Sequence, residues 1–286
     1  MSCQTCGRET SPSDAYCLVC NTPPGAPAVR PGARTYAVRG VGMAACVAVA
    51  LVVLLDVVLS LWPVVGRVMA ERALRADDPE LLNLAAASEL IVALPSLAVY
   101  LAAAVLVIVW FYRARVNLDA FPGAGPTMAA GWAIGGWFVP FANFVIPCRV
   151  MANLARDSLW RARTPVLVGV WWAAWLFSQC GGWASLSDTR AYDALPSEIY
   201  GPDDYQAYVD YYSDSLQRGL PGTVAIVVAG VALIMLIRQI SDAQQARIDR
   251  SGPAAPILPG VSVPFQTAAG GTSLTPPVGG GGTIGA

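Results

Sequence analysis

The chain has 286 residues, of which 55% are hydrophobic and only 13% charged, with a mean hydropathy of +0.52 and a formal net charge of −1. A water-soluble domain carries roughly 25% charged residues, so this composition excludes an ordinary soluble globule and makes lipid part of the solvent. All basic residues are arginine and histidine is absent, which excludes a Ser-His-Asp triad and any histidine-based metal or proton site; the near-zero charge gives no footing for nucleic-acid binding.

Residues 1–22 hold two Cys-x-x-Cys pairs, Cys3/Cys6 and Cys17/Cys20. Such a turn points two thiolates at one centre, and two turns complete a tetrahedron suited to Zn2+. The competing reading is two disulfides in an exported segment. A cytosolic position, argued below from charge, favours zinc. With cysteine at all four positions no coordination site stays open, so the predicted zinc is structural rather than catalytic. So short a module cannot bury a core, and metal binding would supply its folding energy. Gly7 follows the first pair and suits a tight turn; Asn21 stands after the last cysteine and can take the same left-handed conformation. Residues 23–40 read as a Pro/Gly linker without helical or strand period.

Four apolar stretches follow as predicted spans, at about 41–62, 90–112, 165–180 and 221–237. At about 1.5 Å per residue, a stretch of this kind is built to cross ~30 Å of hydrocarbon. The first lies too far into the chain and is too long to be a signal peptide. Between the second and third lies 128–147, apolar but interrupted by Gly131, Gly135, Gly136, Pro140 and Pro147. Freed backbone groups in lipid need partners, so this segment is expected to be a broken helix or a re-entrant hairpin. Stretches 63–89 and 181–220 read as polar loops, and residues 251–286, rich in Pro, Gly and Thr, as a disordered tail. The fold class is therefore an all-α membrane helix bundle, with four full spans plus one broken or re-entrant apolar segment and a small N-terminal four-cysteine zinc ribbon in front. Residues 41–250 form its membrane helical domain.

Arginine placement orients the chain. Arg149, Arg156, Arg161 and Arg163 follow the broken segment, and Arg8, Arg30, Arg34 and Arg39 precede the first span, whereas 181–220 holds seven acids against two arginines. These agree with the positive-inside rule if 128–147 dips in and returns, leaving both termini cytoplasmic in a multi-pass cell-membrane protein.

The stretch Gly131-Trp-Ala-Ile-Gly-Gly-Trp-Phe-Val-Pro-Phe-Ala-Asn-Phe-Val-Ile-Pro147, with Trp110, Arg113 and Asn117 before it, resembles the bacterial membrane family catalogued as domain of unknown function 4328. The similarity extends over about residues 45–245. The resemblance implies a multi-spanning architecture, often with a zinc-ribbon head, and no activity. Cys148 stands where that family leads one to expect tyrosine.

Several polar residues invite a functional reading. Asp56 lies mid-span, where a carboxylate is costly; it is a candidate to carry protons, to pair with a cation such as Arg113, or simply to pack in hydrogen-bonded form. Asn117 and Asn143 are polar groups that would either line a solute path or cap broken helix ends. Gly131 and Gly135 form a small-xxx-small pair that would allow close helix approach. Residues 149–163 read as an amphipathic helix whose Arg149, Arg156 and Arg163 form one stripe toward anionic headgroups. Tyr205, Tyr208 and Tyr212 recur at helical spacing in the acidic stretch, as a solvated cap or a binding face. No nucleophile motif, phosphate loop or paired intramembrane carboxylate is present, so an enzyme is not expected. The expected function is a membrane adaptor or sensor that meets a cytosolic protein partner through the zinc ribbon. The alternative is a small-solute or ion transporter or channel built around 128–147. The partners expected are the lipid bilayer and that protein, without nucleic acid.

Overall fold

The computed structural model describes residues 2–11 and 14–251, without the side chains of 180–188. The predicted disordered tail lies outside the described residues. Six helices follow the head and linker: α1 Arg39–Ala76, α2 Glu80–Ala120, the short α3 Trp132–Gly135, α4 Ile146–Leu159, α5 Val166–Asp193 and α6 Pro202–Ser251. No strand occurs among the described residues. α1, α2 and α6 are long and apolar enough to cross a membrane, whereas the apolar stretch described in α5, Val166–Gln179, is shorter. By that measure three of the four expected full spans are met.

The helices run well past their apolar runs. α6 has 50 residues, about 75 Å at about 1.5 Å per residue, more than twice the ~30 Å of hydrocarbon. The polar loops expected at 63–89 and 181–220 shrink to 77–79 and 194–201. Beyond Leu61, α1 runs on through Pro63 and Gly66 into better helix formers from Arg67 to Ala76, where Arg67 and Arg75 each pair with Glu71 at i,i+4 spacing. It stops where Asp77 turns left-handed at φ 54° and donates its N–H to Ala73 O. Asp78 Oδ1 then accepts from Glu80 N–H and starts α2.

These extensions have a core of their own. Tyr205, Tyr212 and Val209 of α6 pack against Ala70 and Ala73 of α1 and Leu82 of α2. Gly66 makes room for this, since a methyl group there would fall 2.4 Å from the Tyr212 ring. Tyr205 is 2% exposed, so the tyrosine row is a packing face and not a binding surface.

The main core joins α1, α2, α5 and α6 around an aromatic ladder. Phe111 meets Trp110 and Trp137 edge-on, Trp137 meets Trp175, and Trp175 stacks on Trp172. Trp110 Nε1 donates to Ser241 Oγ at 2.8 Å. Gly42 admits this pair, because a Cβ there would lie 2.5 Å from that oxygen.

The segment 128–147 is broken, as its glycines and prolines foretell. Helix α3 lasts four residues; Pro140 follows, Phe141 turns at φ 63°, and a 3-10 turn covers Ala142–Phe144. The start of the segment is held by neighbouring helices. Arg115 of α2 donates from Nε to Met128 O at 2.8 Å, and Asn153 of α4 donates to Thr127 Oγ1 at 2.8 Å. Trp172 Nε1 holds the far side through Phe144 O. The close-approach glycine is Gly136, whose Cβ would meet Ile146 at 2.4 Å; Gly131 and Gly135 have nothing within 4 Å. The expected small-xxx-small contact is therefore replaced by a local fold-back of the segment on itself.

Candidate metal centre and its seat on the bundle

The two Cys-x-x-Cys turns are built alike. Gly7 N–H donates to Cys3 O and Asn21 N–H to Cys17 O, each at 2.8 Å. Both donors sit in the left-handed region, Gly7 at φ 74° and Asn21 at φ 52°. The first sulfur of each pair accepts backbone N–H bonds from two and three residues on: Cys3 from Thr5 and Cys6, Cys17 from Val19 and Cys20. Amide dipoles aimed at a sulfur favour its thiolate.

All four Sγ atoms lie within 4.8 Å of one another. Cys3 to Cys20 and Cys6 to Cys17 are both 3.6 Å. A disulfide would require about 2.05 Å. A zinc ion about 2.3 Å from each sulfur sets tetrahedral edges of about 3.8 Å, which the cluster matches. Burial raises Cys3, yet the surrounding donors hold it down to about 6, while burial pushes Cys6 up to about 12. Burial likewise raises Cys20, whereas the Cys20 N–H leads the effects that lower Cys17. Four thiols gathered in one partly buried cluster suit a dication, which stabilises their deprotonated form. The chemistry of the donor set thus fits a metal; thiolate ligands suit zinc.

The head is seated on the helices rather than held off on a loose tether. The chain between head and bundle carries no helix up to Val38, with α1 taking the last two residues of the expected 23–40 linker, and it is pinned along its length. Arg30 N–H donates to Ala120 O at 2.8 Å, and Arg30 Nη1 donates to Asp119 O. Asn117, fully buried near the end of α2, accepts from Tyr36 N–H at 2.7 Å and donates to Tyr36 O at 2.9 Å. Its amide also reaches Gln244 Oε1 of α6 at 3.0 Å, and Gln244 in turn donates to Ala114 O and Ser158 Oγ. One polar network therefore ties linker, α2, α4 and α6.

The head itself rests on Trp160, which packs against the cysteine cluster. Gly123, at φ 79°, lets the α2–α3 connection pass beneath; a Cβ there would lie 3.1 Å from Thr22 and 3.3 Å from Cys20 O. Two arginines of α6 complete the seat. Arg250 donates to Thr5 O at 3.2 Å. Arg247 lies between the Phe121 and Trp160 rings, 4.3 and 4.4 Å from their centroids, and donates to Ala28 O and Pro122 O at 2.8 and 2.6 Å.

The other predicted polar residues do not form one site. Asn143 sits on the 3-10 turn, its Oδ1 buried without a partner, beside a cavity of about 320 Å³ among α1, α2, α5 and α6. That cavity is apolar, with Val53, Val107, Trp137, Trp175 and Gly230 among its walls. Asp56 lies one turn beyond Val52 and Val53, half-buried, and does not line it. The contemplated pairing of Asp56 with Arg113 does not form. Arg113 lies over the Tyr36 ring at the head end, 5.9 Å away, whereas Asp56 lies about 25 Å farther along α1. Asn117 belongs to the linker lock and does not line that cavity. Arg149 and Arg163 are exposed, and Arg156 bonds Asn153. The expected stripe over 149–163 is cut short, because α4 ends at Leu159 where Trp160 turns left-handed at φ 53°.

Trp160, Gln244 and Arg247 escape a reading of the sequence. For Gln244 and Arg247 the signal is a row at helical spacing, Ile237, Ile240, Ser241, Gln244 and Arg247, which carries a packing face past the apolar run into polar residues.

Fold and site together define a helical membrane protein with a tetracysteine head docked at one end of its bundle. The chain belongs to the family described as Domain of unknown function (DUF4328), which it matches over residues 73–242. The head and most of α1 precede that match. No curated protein and no solved structure matches the chain.

Proposed function

We propose that the protein is a non-enzymatic integral membrane adaptor or sensor. Its four main helices span the bacterial inner membrane with both termini cytoplasmic, and Zn2+ held by Cys3, Cys6, Cys17 and Cys20 shapes a partner-binding module. The observation that carries this reading is the head's free side. The head meets the bundle through Thr5, Cys20 and Thr22, yet leaves three neighbouring apolar side chains of its second turn in the open: Tyr16 is 56% exposed, Leu18 92% and Val19 44%. Apolar groups grouped on a rigid, metal-held turn suit a protein partner. The exposed Arg149 and Arg163 side chains would meet anionic headgroups.

The test is a photo-crosslinker at position 16 in the full-length protein in cells, with and without Leu18→Asp, at matched membrane abundance and zinc content. A cytosolic adduct that Leu18→Asp abolishes supports the adaptor. The same adducts in both chains refute it. The apolar cavity beside Asn143 favours a second reading, a small-solute transporter or channel. Solute flux abolished by Asn143→Leu, at matched membrane abundance, would establish it. A single intramembrane carboxylate without a second ionisable group in the spans is a poor basis for coupling.

A further inference from the structure

Arg247 is among the most confined charges in the described chain. It is 2% exposed, and its Nη1 is buried with no hydrogen-bond partner. Its other nitrogens meet two carbonyl oxygens, and its faces meet two aromatic rings. No carboxylate among the described residues forms an ion pair with it. Dipoles and ring quadrupoles replace its hydration without supplying an opposing charge, which is costly; the Asp157 carboxyl of α4 acts on it from outside ion-pair distance, and burial favours that carboxyl's neutral form. One of those rings, Trp160, packs on its own account against the cysteine cluster, so a single ring separates the cation from the sulfurs' seat.

The proposed metal reading, on which this inference rests, provides a full anionic charge beside it. Four thiolates around one dication carry a formal charge of about −2. The head's own Arg8 is exposed and Arg250 is committed to Thr5 O. Arg247, supplied by α6 more than 200 residues away in sequence, is the buried counter-charge beside the cluster. Its flanking contacts are also the seat itself: Ala28 belongs to the linker, Pro122 and Phe121 to the α2–α3 connection, and Trp160 to the end of α4.

We propose that Arg247 is an outer-sphere residue of the metal centre, so that metal loading of the head and its docking on the bundle stabilise each other. Loaded, the tetrathiolate neutralises Arg247 and holds the head and linker down. Emptied, the head loses both its internal fold and the charge that draws Arg247, and the linker loosens from α2. Outer-shell partners commonly tune metal affinity by about 10–100-fold, and linkage requires the effect to be reciprocal.

The experiment uses the zinc-loaded, full-length protein in nanodiscs. Zinc release is titrated with a colorimetric chelator, and hydrogen exchange is followed at the Arg30 and Tyr36 amides, which bond to Ala120 O and Asn117 Oδ1. Arg247→Gln should release zinc about 10–100-fold more readily. Arg247→Lys, which keeps the charge but not the planar stack, should fall between the two. Stripping zinc from the unsubstituted chain should speed exchange at both amides, a readout that needs no substitution. The proposal is overturned if Arg247→Gln, with its tryptophan near-ultraviolet signature intact, holds zinc as tightly as the parent chain. It is equally overturned if stripped and loaded chains protect Arg30 and Tyr36 alike. A parent chain that takes up no zinc would instead remove the metal reading beneath it.

Discussion

Replacing Asn117 by leucine removes the side chain on which linker, α2 and α6 converge. Three hydrogen bonds go: Tyr36 N–H to Oδ1 at 2.7 Å, and Nδ2 to Tyr36 O and Gln244 Oε1 at 2.9 and 3.0 Å. A buried polar group left without a partner costs about 1–3 kcal/mol. Gln244 is fully buried, so its Oε1 bears that full cost. Tyr36 is half-buried and water can reach part of its backbone, so its two groups fall at the low end. The sum is about 3–5 kcal/mol, which for a chain of this size lowers the melting point by about 6–20 °C. The assay is thermal unfolding in detergent, followed by intrinsic tryptophan fluorescence, beside hydrogen exchange at Tyr36. Asn117→Asp, which keeps the acceptor for Tyr36 N–H but not the two donated bonds, should retain part of the exchange protection. An Asn117→Leu chain that melts as the parent does, with Tyr36 still protected, would refute the linker lock.

Gly66→Ala should destabilise the extramembrane helical core by about 1–3 kcal/mol, because its methyl collides with the packed Tyr212 ring. Gly131→Ala, in open space, should leave the melting point unchanged; equal effects of the two would contradict the packing described. Asp157 of α4 is raised above the ordinary carboxylate range by burial, against the Gly125 N–H and the fields of Arg156, Arg115 and Arg247. Its folded form therefore holds a proton more tightly than the unfolded chain, and its contribution to stability grows as pH falls through the folded value. Asp157→Asn should accordingly melt at or above the parent at neutral pH, with the gap closing on acidification; a gap that widens on acidification would reverse the assignment.

What the sequence makes legible is what is local. The Cys-x-x-Cys spacing brings four sulfurs together because each turn is closed by residues within it, down to the left-handed Asn21 in place of a glycine. The break in 128–147 is equally local, since Pro140 and the adjacent glycines cannot sustain a helix in lipid. The family resemblance, carried by the Gly-Trp-x-x-Gly-Gly-Trp-Phe block, holds over 73–242, a shorter stretch than the 45–245 expected from the sequence. Less legible are helix ends in water. Apolar runs mark where lipid lies, whereas the ends of α1, α2 and α6 are set by packing between Gly66, Tyr212 and Leu82, far apart in sequence. The seat of the head is least legible of all. Arg247 reads as one charge on a polar helix end, and only the tertiary fold lays it between Phe121 and Trp160 beside the cysteines.

The measurement that bears most directly on the account is the metal content of the purified full-length protein, by elemental mass spectrometry, together with a count of free thiols after denaturation. The account predicts one zinc per chain, lost in Cys3→Ser/Cys6→Ser, with Cys3, Cys6, Cys17 and Cys20 all reactive as free thiols once the metal is stripped. A chain without bound metal, in which those four cysteines are recovered as two disulfides, would contradict it.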